Sequence, residues 1–228
     1  MKNTLLLSVL LFCSTTLLAQ KKSKFNTMDK GKTNQNIKWN GSLSYGNTLF
    51  LGDLRHGSSE RYLPNVALSM RFNKEKNHKK GYQLAVTVGK NSGESDYDIP
   101  SFNRYFRSQY LQGHIAYRKA ISKYENAKTG KALPQVHLLF GAGYYVADVK
   151  LFDPNEDPLV IKPKQETISS VYFPLGLEVS YYFRQGFGFM ASVNNNLYIS
   201  DKIDLFEVSG NGPDNQLMFN LGMCYKFN

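Results

Sequence analysis

From Asn36 onward, large apolar side chains recur at every second position in eight separate runs. Period two is the period of a β-strand, whose successive side chains leave on opposite faces. The first run carries Ile37, Trp39, Leu43 and Tyr45, with Gly41 among them. The third carries Tyr82, Leu84, Val86 and Val88, and the fifth runs from Val136 through Leu138, Phe140, Ala142 and Tyr144 to Val146. The last, "NLGMCYKFN", places Leu221, Met223, Tyr225 and Phe227 on one face and Gly222, Cys224 and Lys226 on the other. The expected fold is all-β: eight antiparallel strands closed on themselves, with the last strand pairing with the first so that no edge stays open.

The two faces differ in kind. Opposite the large residues stand Ser42, Ser44, Ser69, Arg71, Gln83, Ala85, Thr87, Gln112, His114, Ala116, Arg118, Gly141, Gly143, Gly176, Glu178, Ser192 and Asn220. Volume decides which face is inside. An eight-stranded barrel encloses room for little more than its own side chains. The apolar face holds at least ten of the chain's 15 Phe, 15 Tyr and single Trp, and would overfill that space. The small and polar face would fit it. The large face therefore points outward, and a closed sheet with an apolar exterior belongs in lipid. Trp39, Phe72, Tyr82, Tyr117, Tyr181, Phe183, Phe187, Tyr225 and Phe227 fall near strand ends on one side, where aromatic rings sit at the headgroup level.

The connections alternate too. Those after the first, third, fifth and seventh runs are long and rich in Asp, Asn, Pro, Gly and Arg. "RQG" at 184–186 is short, "NKEKNHKK" at 73–80 moderate, and Ser122–Pro134 longer than such a turn needs. This predicts a transmembrane barrel with long extracellular loops and shorter periplasmic turns, in a bacterial outer membrane. Two residues strain the pattern. Pro174 lacks the N–H a ladder needs and predicts a bulge or a later strand start. Asn195 falls on the lipid face and is tolerable near a rim.

Residues 1–19 read as a signal peptide: Lys2, an apolar stretch from Leu5 to Phe12, and cleavage between Ala19 and Gln20. Residues 20–35 read as a flexible polar tail, and 36–228 as the barrel. Of the two cysteines, cleavage removes Cys13 and leaves Cys224, which excludes an intramolecular disulfide and a zinc site built on several cysteines.

Asn220, Gly222, Tyr225 and Phe227 resemble the terminal assembly signal of bacterial outer-membrane proteins, here followed by Asn228. "GNTLFLGDL", "YFRSQYLQGHIAY", "SDKID" and "NQLMFNLGMCYKF" are similar to stretches of the eight-stranded barrels related to OmpA and OmpX, and more closely to outer-membrane barrels of Bacteroidota. PorG-like barrels of the type IX secretion machine are one branch of that group. The resemblance implies recognition by the barrel-assembly machinery and a place in the cell envelope.

Nothing in the sequence demands catalysis, a cofactor or a metal. His56 lies in a loop, His78 in a basic turn and His137 near the short-turn end of the fifth run. His114 faces the lumen beside Arg118 and near Glu178. With Ser42 or Ser69 it could make a hydrolytic cluster, but a lumen network of Arg71, His114, Arg118 and Glu178 accounts for all four residues, because buried charges must pair. The net charge of +10 is divided. Lys21, Lys22, Lys24, Lys74, Lys76, Lys79 and Lys80 fall at the periplasmic end, and Arg55, Arg61, Arg104 and Arg107 on the loop side. The loop arginines suit lipopolysaccharide phosphates, and a charge split between two ends argues against nucleic acid. Three function classes remain: a structural or interaction barrel, including a secretion-machine component with a protein partner in the envelope; a lipid-modifying enzyme; and a solute pore.

Overall fold

The computed structural model describes residues 37–51, 65–76, 79–94, 105–122, 133–152, 164–183, 186–200, 203 and 214–227. The expected signal peptide, its Ala19–Gln20 cleavage site and the 20–35 tail lie outside these residues. So do His56, His78, Arg55, Arg61 and Arg104.

Eight strands form one closed antiparallel barrel, each pairing with its chain neighbours and β1 pairing with β8. They are β1 (Ile37–Leu51), β2 (Val66–Lys76), β3 (Lys80–Glu94), β4 (Tyr105–Ala120), β5 (Gln135–Phe152), β6 (Lys164–Tyr182), β7 (Phe187–Tyr198) and β8 (Asn215–Phe227). The period-two pattern sorts side chains as its chemistry requires. Leu43, Leu84, Ile115, Phe140, Phe189 and Leu221 point outward, Ile115 being 63 % and Leu221 71 % exposed. Such a continuous apolar band cannot face water, and it makes the barrel a membrane-spanning one.

Strand lengths fix how the wall stands in the bilayer. A tilted strand crosses the hydrocarbon core in about 9–11 residues. With 11 and 12 residues, β2 and β7 barely exceed that, whereas β5 has 18 and β6 has 19. The surplus lies at the end of the long connections, where the outward residues turn polar: Arg107, Gln109, Asp148, Lys150 and Thr167. Part of what reads as loop in the sequence is thus strand standing above the membrane. At the other end β2 and β3 are joined through 77–79 alone, tighter than the 73–80 connection expected. The longer β4–β5 connection is clasped at its feet. The Val136 N–H donates to the Ser122 hydroxyl at 2.8 Å, and that hydroxyl lies 3.2 Å from the Pro134 carbonyl.

Pro174 produces neither the bulge nor the late start expected of it. β6 runs through it, pairing unbroken with β7, where Pro174 stands opposite Asn196. On the β5 side the ladder lapses between Phe140–Leu175 and Gly143–Tyr172 and resumes in the same register. The missing N–H therefore faces β5, and the lapse costs no residue. Asn195, on the outward face of β7, is half-buried between Leu175 and Leu217 on the adjoining strands.

Candidate functional site

The lumen is the place where polar chemistry collects, and its two ends are built differently. At the periplasmic end, alternate positions of seven strands converge. Arg118 on β4 donates one terminal nitrogen to Glu75 of β2 and the other to Glu178 of β6. Arg71 of β2 reaches the second Glu178 oxygen at 3.3 Å, and Gln83 of β3 donates to that oxygen at 3.1 Å. Gln83 also donates to Asn73 (3.0 Å), Asn73 to Asn40 (2.6 Å), and Asn40 to Glu75 (2.9 Å), which closes a ring of bonds around the inner wall. His137 of β5 packs against Arg118, with Nδ1 3.2 Å from the guanidinium. Since a guanidinium only donates, Nδ1 is the acceptor. Lys226 of β8 rests its ammonium 3.8 Å from the centre of the Tyr182 ring. Arg118 and Glu178 are 1 % and 2 % exposed. Charges so deep are sustained only by this density of partners.

The structure thus brings Arg71, Arg118 and Glu178 into one cluster. His114 stands at its upper edge, Nε2 3.4 Å from Gln83 Oε1 and Nδ1 3.0 Å from the Tyr172 hydroxyl. Neither Ser42 nor Ser69 touches it: Ser69 bonds Thr87 at 2.8 Å. Sequence reasoning missed Glu75, Asn40, Asn73, Gln83, His137 and Lys226 as members. The signal was present, because Arg71, Asn73 and Glu75 keep period two, yet the run of lysines around Glu75 made it read as a solvated turn.

The extracellular end corrects a second expectation, that the inner face is small or polar throughout. Phe50, Phe106, Tyr110, Tyr145, Tyr172 and Tyr198 all point inward and are buried, together with Val149 and with Ile203 from the β7–β8 connection. Phe50 meets Phe106 edge-on at 5.2 Å, Tyr145 meets Tyr198 at 4.9 Å, and Tyr110 stacks on Tyr145 at 5.4 Å. Polar side chains are interleaved with the rings. Tyr198 donates to Gln216 Oε1 at 2.9 Å, and Gln216 donates to Asn91 at 3.0 Å, which also accepts from Thr48 at 2.8 Å. These rings fit because the wall between the two plugs is lined by residues as small as Ala85, Ala116, Gly141, Gly143, Gly176 and Gly222. A narrow barrel takes large side chains only where neighbouring positions give way.

The four residues of the terminal resemblance divide between the faces. Asn220 and Gly222 point into the lumen, Asn220 opposite Gly46 and Ser192. Tyr225 and Phe227 point to lipid, their rings 5.4 Å apart, with Phe187 4.7 Å from Tyr225. Among the described residues no cluster of three or more His, Cys, Asp or Glu could hold a metal ion.

No protein-family model matches the chain, and no curated protein matches it. Solved structures do. A major outer-membrane protein of Thermus thermophilus is similar over 84 % of this chain and 100 % of its own, at 15 % identity and a TM-score of 0.54. Ail, the attachment invasion locus protein of Yersinia pestis, solved with the heparin analogue sucrose octasulfate, is similar over 84 % and 99 % at 14 % identity and a TM-score of 0.49. OprG of Pseudomonas aeruginosa is similar over 84 % and 95 % at 12 % identity and a TM-score of 0.47. Fold and outward apolar band together define the class: the chain is an eight-stranded outer-membrane β-barrel.

Proposed function

We propose that this barrel is a structural or interaction protein of the cell envelope, working through its surfaces and not through its interior. The observation that carries the reading is the doubly plugged lumen. A ring of charged and amide side chains fills the periplasmic end, and packed aromatic rings fill the other. A solute path would have to break a buried ion cluster at one end and displace Tyr145, Tyr172 and Tyr198 at the other. Both nitrogens of His114 face partners in the interior, away from either rim, which disfavours a lipid-modifying enzyme. On this reading its partners are membrane lipids, the assembly machinery acting on Asn220, Gly222, Tyr225 and Phe227, and a protein of the envelope, a secretion complex being one setting. Arg107 and Lys150, opposite one another on the outer wall above the membrane, supply the chemistry for lipopolysaccharide phosphates.

The test is a conductance measurement in planar bilayers, paired with crosslinking in native envelopes. The expected outcome is no sustained channel and a specific crosslinked neighbour. Steady single-channel currents would replace this reading with a pore.

A further inference from the structure

On the outer wall at the periplasmic end, adjacent strands set residues in horizontal rows. Lys76 of β2 stands opposite Lys80 of β3, and Lys80 opposite Lys119 of β4. All three side chains point outward and are exposed. One step toward the membrane the row is Lys74, Tyr82 and Tyr117, and one step further it is Phe72, Leu84 and Ile115. Lys74 lies over the Trp39 ring at 5.2 Å, and Tyr82 meets Tyr117 edge-on at 5.9 Å. A cleft of about 450 Å³ opens here, lined by Lys74, Glu75, Lys76, Lys80, Gly81, Tyr82 and Tyr117, with Lys119 beside it on β4.

Like charges directly opposite one another in a sheet repel. Three lysines in one row are therefore a costly arrangement unless an anion lies across them. The neighbouring carboxylate does not serve, because Glu75 turns inward to Arg118. Nor do the described residues continue the row as a uniform belt. Among them, the outward residues at the same level on the far side of the barrel are Tyr181, Phe183, Phe187, Tyr225 and Phe227, none of them a cation. The vertical order, ammonium groups above aromatic rings above aliphatic side chains, matches a phospholipid read from phosphate through ester to acyl chain.

We infer that the outward face of β2, β3 and β4 is a binding site for an anionic phospholipid of the inner leaflet, its headgroup phosphate held by Lys76, Lys80 and Lys119 and its chains lying along Leu84 and Ile115. This rests on the membrane reading of the barrel and adds a fixed lipid partner to it.

Trp39 is the chain's single tryptophan and borders the site, so its fluorescence reports locally. The folded protein is placed in phosphatidylcholine vesicles containing a small fraction of lipid with brominated acyl chains, either phosphatidylglycerol or phosphatidylcholine. Brominated phosphatidylglycerol is expected to quench Trp39 as though enriched about tenfold over its bulk fraction. Lys76→Gln with Lys80→Gln should abolish that preference, and Lys90→Gln with Lys164→Gln, equal in charge but at the opposite end, should leave it intact. Equal quenching by the two lipids, or equal loss in both double variants, overturns the site. Recovery of Trp39 emission on adding glycerol phosphate would assign the row to a soluble phosphate and overturn the lipid. No quenching by either lipid would sink the membrane reading itself, an outcome distinct from a failure of selectivity.

Discussion

Glu178 shows what a single buried carboxylate does in a lumen this narrow. It takes Arg118 on one oxygen, and Arg71 and Gln83 on the other. Glu178→Ala leaves two guanidinium groups short of their counter-charge, and the expected cost is about 3–5 kcal/mol. Asp148, exposed on the outer wall, accepts a bond from Thr167 at 2.7 Å. Its alanine variant should lose less than about 1 kcal/mol. Denaturant unfolding in micelles followed by Trp39 emission compares the two, and equal losses would mean that the cluster contributes nothing beyond a surface bond. Cys224 belongs to the same scale. It is buried in the lumen opposite Ser42 and Gly188. If residues 1–19 are cleaved and Cys13 goes with them, a bulky maleimide should label Cys224 slowly in the folded barrel and rapidly after unfolding. Met223→Cys in a Cys224→Ser background should instead react with a membrane-soluble thiol reagent. If that reagent labels Cys224 and spares position 223, the facing of β8 is inverted.

At the scale of the element, β8 has two tasks that its residues separate. Gly222 is held by geometry: a Cβ there would run into the Leu43 carbonyl oxygen and lie 2.6 Å from the Ser44 Cβ. Gly222→Ala therefore forces β1 and β8 apart, and overpacking of this kind costs about 1–3 kcal/mol. That loss should appear in protein refolded in detergent, with no assembly machinery present. Tyr225 and Phe227 face lipid, as Leu43 does, so lost lipid contact is common to all three. If the last aromatic residues are also read during assembly, Tyr225→Ala and Phe227→Ala lower the amount of barrel in the membrane more than Leu43→Ala does. Quantitative blotting of membrane fractions makes the comparison, and equal levels would reduce the ending to an ordinary strand. β6 teaches a different lesson. Its proline was legible as a disturbance, but the form of the disturbance was not. Whether a missing N–H becomes a bulge depends on which neighbour it faces and on whether the ladder beyond it can resume in register.

For the whole molecule, closure and the outward apolar band have a direct consequence. The folded barrel should keep a compact form in detergent until boiled, and so migrate differently in gels before and after heating. It should fractionate with the outer membrane. Recovery as a soluble protein without detergent would contradict the lipid-facing band. The sequence by itself determined the class of fold, because period two repeated through eight runs admits a closed sheet, and the volumes of the two faces decide which is inside. It also determined three members of the lumen cluster, since a charge on the inner face of a barrel has to find a partner there. Only the tertiary structure decided how the lumen is filled. Phe50, Phe106 and Tyr110 sit in segments that read as connections, and Tyr145, Tyr172 and Tyr198 at the loop-side ends of their runs. Nothing local distinguishes an aromatic ring near a rim that faces lipid from one that plugs the interior. The difference is one residue of phase, carried unbroken along strands that outlast the membrane. The row of Lys76, Lys80 and Lys119 was hidden for the same physical reason. Residues 76 and 80 flank a turn, 119 lies far along the chain, and only the register of β2, β3 and β4 makes them neighbours.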